Sequence, residues 1–129
     1  MNKKNLLRMA DHIEKVPQER FNPEIYRGRS DDFTPECNSV GCTIGHCAIL
    51  DKWENVPRND FGNIQFFTWS RQFTGVMSLS EWKYLFDPNW HKTDNTPTGA
   101  AKRIRYFVEN GLPEDWEEQI NGTAPLSYI

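Results

Sequence analysis

The sequence predicts an all-α fold: a compact single-domain bundle of about five helices around a central buried helix that contains cysteine and glycine. Apolar residues recur at three- and four-residue spacing in several segments, as they do on one face of a helix. We find no segment with the strict alternation typical of a half-buried strand. The 129 residues suffice for one core, and five Trp and eight Phe offset a hydrophobic content of 37%.

The first helix is expected to run from Lys3 to about Val16. Its apolar residues recur at helical spacing: Leu6, Leu7, Ala10 and Ile13. Pro17 should end it, since proline lacks the backbone donor that a helix interior needs. A polar stretch from residue 27 to residue 36 contains Gly28 and Pro35 and predicts a surface loop.

The central helix is predicted from about Ser39 to Trp53, with Ser39 as its N-cap. It is apolar on nearly all faces, so we expect it to be the most buried helix. Gly41 and Gly45 lie four residues apart and would permit another helix to cross closely.

The next two helices have recognisable ends. A helix over residues 64–73 should stop at Gly75. Ser78 followed by Glu81 fits a capping box and predicts the start of a short helix, which Asp87 and Pro88 should interrupt.

The last two helices are predicted from similar signals. Thr96 before Pro97 is a strong helix start, and Gly111 is a good stop. A short acidic helix should follow Leu112. We therefore expect one helical domain over residues 1–121 and a C-terminal tail over residues 122–129.

Charge and composition exclude several classes of protein. The net charge of −3 argues against general nucleic-acid binding, which favours a basic surplus. No run of eighteen apolar residues is present, so we expect no membrane span. Three cysteines, an odd number, and the absence of an apolar leader segment predict a cytoplasmic location with reduced thiols.

One motif carries a resemblance. Residues 37–48 read Cys-x-Ser-x-Gly-Cys-x-x-Gly-His-x-Ala, and Leu85-Phe86-Asp87-Pro88 and an Ala-rich helix around Ala100 follow. This order of features resembles a loose group of small phage and bacterial proteins of no known activity. The resemblance implies a phage or bacterial setting. Either His or Trp stands at the place of His46 in the group, which implies that this position is no obligatory ligand.

An anion site is the leading functional hypothesis. Two predicted helix starts contain glycine, and backbone N–H groups at a helix start bind phosphate or carboxylate. The candidate ligand-binding residues are Ser39, Gly41, Cys42, Arg71, Thr96, Thr98, Lys102 and Arg103. The structural alternative is that both starts are ordinary caps. For Lys102, Arg103 and Arg105 the simpler interpretation is that they lie on a solvated helix face.

The cysteines suggest two other kinds of site. Cys42 and His46 share a helix face and Cys37 lies just upstream, so these three residues are the candidate metal ligands. Their spacing matches no standard zinc motif. Cys42 near a helix start could also be a nucleophile. The simpler interpretation makes the cysteines small core residues.

From these observations we expect a non-enzymatic, phage-type accessory protein, for example in counter-defence, that binds a small anionic, nucleotide-like ligand without a cofactor. A protein–protein inhibitor or assembly factor is the first alternative. It would act through exposed aromatics and the acidic segment around Trp116. A metal-binding protein or thiol-dependent hydrolase is the second. Partners are then a small anion or a host protein, and a homo-oligomer is an open alternative.

Overall fold

The computed structural model describes residues 1–21, 43–62 and 64–129, and these ranges form an all-α domain, as predicted. The α-helices are α1 (Lys3–Ile13), α2 (Thr43–Cys47), α3 (Phe66–Thr74), α4 (Leu79–Phe86), α5 (Pro97–Asn110) and α6 (Trp116–Asn121). Short 3₁₀ turns cover Gln18–Arg20, Ala48–Leu50, Trp53–Asn55 and Pro88–Lys92. Within these ranges, Arg58 and Ile64 form an isolated bridge and no strand is formed.

The core is built mainly by α1 against α5, which make the most extensive helix contact. The buried side chains of α1 recur at helical spacing: Leu6, Met9, Ala10 and Ile13. Ala100 and Ala101 on α5 are small and buried, so they allow the two helices to approach closely. Each large apolar side chain buried here contributes about 1.5–3 kcal/mol to folding.

The prediction for the central helix is correct in burial but wrong in length. Ile44, Cys47 and Ala48 are fully buried, yet α2 ends at Cys47 rather than Trp53. Asp51 takes an extended backbone, and its carboxylate accepts hydrogen bonds from the Lys52 N–H and the Trp69 indole. Such local bonds from an Asp side chain compete with helical ones and redirect the chain. The predicted start at Ser39 lies outside the described residues.

Most of the other predicted helix ends are confirmed. Gly75 ends α3 in the left-handed conformation, at φ 68°. Ser78 accepts a hydrogen bond from the Glu81 N–H at the start of α4. Thr96 caps α5, which begins at Pro97. Helix α1 ends at Ile13, short of Val16, because the N–H groups of Lys15 and Val16 bond to carbonyls three residues back instead of four.

The C-terminal segment, residues 122–129, is packed against the domain rather than extended away from it. The Ser127 N–H donates to the Gln119 side chain, and the Tyr128 hydroxyl donates to Asp94 at 2.6 Å. These contacts bring the end of the described chain to the start of α5. In the described ranges no helix is both long and apolar enough to cross a bilayer.

Candidate functional site

The start of α5, where the predicted ligand residues Thr96 and Thr98 lie, is already occupied by a carboxylate of the protein. Thr96 Oγ1 accepts from the Gly99 N–H at 2.9 Å and donates to Asp94 Oδ1 at 2.6 Å. A Cβ built on Gly99 would overlap the Asp94 carboxylate, so the two groups are in direct contact. The cap and the internal carboxylate take the place that an external anion would need.

Arg103 was expected on the solvated face of α5, and this expectation is wrong. Its side chain is 3% exposed. Nη2 lies 3.6 Å from Asp94 Oδ2 and donates to the Tyr128 hydroxyl, while Cζ lies 3.8 Å from the Trp90 ring centroid. Arg103 follows Gly99 by four residues and therefore shares its buried face. Its charge is balanced inside the protein.

The space beside Arg103 is very small. A cavity of about 10 Å³ is lined by residues that include Phe21, Leu85, Trp90 and Arg103. That volume is near the minimum for one water molecule. In the described part of the chain, Arg103 Nε has no hydrogen-bond partner. This cavity therefore offers no room for a nucleotide-like ligand.

The other predicted ligand residues do not converge on one place. Thr98 and Lys102 are exposed on α5. Arg71, on α3, donates to the Met77 carbonyl at 2.7 Å and lies over the Phe67 ring. The remaining candidates, Ser39, Gly41 and Cys42 with the metal candidate Cys37, lie outside the described residues.

A different group of basic side chains does converge. His12, Lys15, Arg20 and His46 line a cleft of about 230 Å³, together with Val16, Pro17 and Ile49. We call this the basic cleft. Among its described lining residues there is no Asp or Glu. Four basic groups around one concave surface form the clearest candidate site for an anion in the described chain.

Three separate segments build the basic cleft. His12 lies in the last turn of α1, and Lys15 follows it by three residues on the same side. Pro17 then turns the chain into the Gln18–Arg20 turn. His46 comes from α2, and its Nε2 donates to the Arg20 carbonyl at 2.6 Å. This bond ties α2 to the turn and holds two walls of the cleft together.

The electrostatics of the basic cleft differ from those of the opposite side of α1. Burial lowers the pKa of His12 and so favours its neutral form, while hydrogen bonding to the His46 backbone opposes that shift and nearby Lys15 adds to it. Asp11 and Glu14, the acids nearest in sequence, each pair with Arg105 of α5 at 2.9 Å. The acids of α1 are thus neutralised away from the cleft.

The metal and thiol hypotheses depend on Cys37 and Cys42, which lie outside the described residues, so the structure describes only Cys47 and His46 beside them. Cys47 is fully buried, and its thiol donates to the Met9 carbonyl. His46 Nε2 is engaged as a donor to Arg20. Over residues 1–21, 43–62 and 64–129 no three His, Cys, Asp or Glu side chains are grouped to hold a metal ion.

Sequence reasoning did not single out the basic cleft. The spacing of His12 and Lys15 is a weak signal, because two basic residues at a helix C-terminus also complement the helix dipole. Arg20 and His46 join them only through tertiary folding.

Comparison of the chain with protein-family models, curated proteins and solved structures finds no match in any of the three.

Proposed function

We propose that the chain is a non-enzymatic protein that binds a small anionic, nucleotide-like ligand through a phosphate held in the basic cleft. The observation that carries this proposal is the convergence of four basic side chains, from three segments, on a concave surface whose described lining has no acid. A phosphate accepts several charge-assisted hydrogen bonds at once, which suits such a set of donors.

The size of the basic cleft supports an anionic head group rather than a whole drug-sized molecule. Sites for drug-sized ligands usually enclose about 300–1,000 Å³, and this cleft encloses about 230 Å³. Val16, Pro17 and Ile49 supply an apolar wall beside the charges. The remainder of a nucleotide would therefore extend from the cleft across its rim.

The biological setting proposed here comes from the resemblance of residues 37–48 to small phage and bacterial proteins. A protein that sequesters a nucleotide-derived signal would serve as an accessory factor, for example in counter-defence. Simple capture needs a site with charge and shape but no catalytic group. The basic cleft meets that requirement.

Calorimetric titration tests the proposal directly. The purified chain would be titrated with inorganic phosphate, sulfate and a panel of linear and cyclic nucleotides. Binding should weaken about 10–100-fold when either Lys15 or Arg20 is changed to Ala, because a hydrogen bond to a charged group is worth about 1.5–3 kcal/mol. Lys83→Ala, an equal charge change at an exposed position of α4, is the matched control.

The control separates local from general electrostatics. If Lys83→Ala weakens binding as much as Lys15→Ala, the effect belongs to net charge and not to the basic cleft. If no phosphate-bearing compound gives heat with the wild-type chain, the proposed function is lost.

A second candidate function is protein binding, and one surface favours it. Phe67, Met77 and Leu79 are 37%, 67% and 54% exposed, and Arg71 links the first two by its ring contact and hydrogen bond. Exposed apolar groups that lie together often mark interfaces. Trp116, the anchor expected from the sequence, is instead partly buried against the core, although Glu117 and Glu118 beside it are exposed.

The test of this second function is a comparison of matched variants. Met77→Ser with Leu79→Ser removes apolar surface, whereas Trp116→Ala perturbs the acidic segment. A stable partner or a homo-oligomer, followed by light scattering on a sizing column, should be lost in the first variant alone. If association is unchanged in that variant, the surface that contains Phe67, Met77 and Leu79 is not the interface.

A further inference from the structure

We propose that the basic cleft selects a dianionic oxyanion, the charge state of a phosphate monoester, and that His12 takes up a proton as this anion binds. The inference rests on the anion-binding function proposed above and specifies its ligand class and its dependence on pH. Two sets of observations carry it: the permanent charges that line the cleft, and the position of His12 among them.

The permanent charges of the cleft favour a dianion over a monoanion. Lys15 and Arg20 supply the permanent cations among the described lining residues. Together they balance two negative charges. A carboxylate or a phosphodiester brings only one charge, so it is attracted less strongly by the two cations than a dianion is.

His12 is a lining group of the basic cleft whose charge can change. Its imidazole is half-buried in the wall of the cleft, and burial keeps its pKa below the ordinary value, so the ring is mainly neutral in the unliganded protein near pH 7. A dianion close to that ring would favour its protonated form. Protonation would also give the imidazole a second N–H donor.

The charged groups described around His12 do not stabilise its protonated form before an anion binds. At the C-terminal end of α1 and just after it, Lys15 disfavours protonation of His12, and Asp11 and Glu14 are both paired with Arg105 of α5. On α2, the backbone of His46 accepts a hydrogen bond from the His12 ring, which raises the pKa of His12 and partly opposes the effect of burial.

The remaining neighbours lie in the turn after α1 and one helical turn before His12. Arg20 is a cation, and Glu19 beside it is exposed and outside the described lining. Arg8 donates to the Leu50 carbonyl at 2.8 Å. No acid among the described lining residues stabilises the His12 proton before an anion arrives.

Sulfate is the probe because any proton taken up when it binds must go to the protein and not to the ligand. It is dianionic throughout the neutral range, whereas phosphate exchanges protons of its own. Titration calorimetry in two buffers of different ionisation enthalpy gives the number of protons taken up on binding. We expect an uptake that approaches one proton near pH 7. The dissociation constant should then rise up to about tenfold per pH unit above about pH 7.

His12→Gln is the matched variant, because Gln retains a hydrogen-bonding side chain but does not titrate. It should bind sulfate about 10-fold more weakly near pH 6 and show no proton uptake. A second measurement in the wild-type chain is independent of any folding defect. The His12 ring signals in NMR should titrate at a higher pH with sulfate present than without it.

The outcomes are distinguishable. Sulfate binding with proton uptake and a shifted His12 titration supports the inference. Sulfate binding without proton uptake, or with an unshifted His12 titration, overturns the inference but leaves the proposed function standing. Tighter binding of acetate or a phosphodiester than of sulfate overturns the dianion class. Absence of binding by every anion removes both proposals.

Discussion

Replacing Gly99 by Ala in α5 should destabilise the protein, although alanine is the better helix former. The substitution gains about 1 kcal/mol in helix propensity. The new methyl group, however, would overlap the carboxylate of Asp94. The carboxylate must then move, because the backbone of a packed helix is the less adjustable partner.

The cost of that movement follows from the contacts that Asp94 makes. It accepts hydrogen bonds at 2.6 Å from Thr96 and from Tyr128, and it balances the buried Arg103. A hydrogen bond to a charged group contributes about 1.5–3 kcal/mol. Losing the equivalent of one such bond and weakening the ion pair costs about 3 kcal/mol, so the net loss after the gain in propensity is about 2 kcal/mol.

Urea denaturation followed by circular dichroism measures this loss as a change in the free energy of unfolding. A loss of about 2 kcal/mol corresponds to a fall in melting temperature of roughly 6–10 °C for a domain of this size. Asp94→Ala provides the decisive background, because it removes the overlapping carboxylate. In that background Gly99→Ala should stabilise the protein by about 0.5–1 kcal/mol.

The test is whether Gly99→Ala changes from destabilising to stabilising when the Asp94 carboxylate is removed. If Gly99→Ala stabilises the protein that retains Asp94, the carboxylate is not held against α5 as described. If Gly99→Ala destabilises the Asp94→Ala protein just as much, the cost arises elsewhere in the helix contact.

Two further predictions concern the same cluster. Arg103→Ala should lower the free energy of unfolding in urea by about 3–5 kcal/mol, because it leaves the Asp94 carboxylate without its buried cation. Adding Asp94→Asn to this variant should recover part of the lost stability. If the double variant is no more stable than Arg103→Ala alone, Asp94 and Arg103 are not paired as described. Burial raises the pKa of Tyr128 to about 12, so the folded state favours the neutral phenol. Its contribution to stability is complete below about pH 10, the unfolded value, and is lost as pH rises towards 12. Tyr128→Phe should reduce this alkaline loss without abolishing it, since burial also raises the pKa of Tyr84; identical pH profiles for the two proteins would contradict the role of Tyr128.

The predicted helix ends succeeded where the signal was local. Thr96 and Pro97, Ser78 and Glu81, and Gly75 act within one turn of the chain, so neighbours in sequence suffice to place them. The predicted extent of the central helix failed because the Asp51 carboxylate bonds to Trp69, eighteen residues away, and to the nearby N–H of Lys52.

In the candidate site, too, neighbours in sequence did not suffice to place every side chain. Lys102 and Arg103 are neighbours in sequence and were assigned together to one solvated face. Helical geometry separates them by about 100°, and the structure exposes Lys102 while it buries Arg103 against Trp90. A positive charge in the sequence therefore did not show whether its partner was a ligand or an internal carboxylate.

The sequence by itself determined the all-α class and most helix ends, because periodicity and capping depend on neighbours a few residues apart. Only the tertiary structure decided which charges meet. It placed Asp94 and Tyr128 on Arg103, and it gathered His12, Lys15, Arg20 and His46 around the basic cleft. His46 lies 26 residues from Arg20, and Tyr128 lies 25 residues from Arg103. Their convergence therefore depends on how the helices pack rather than on any local pattern.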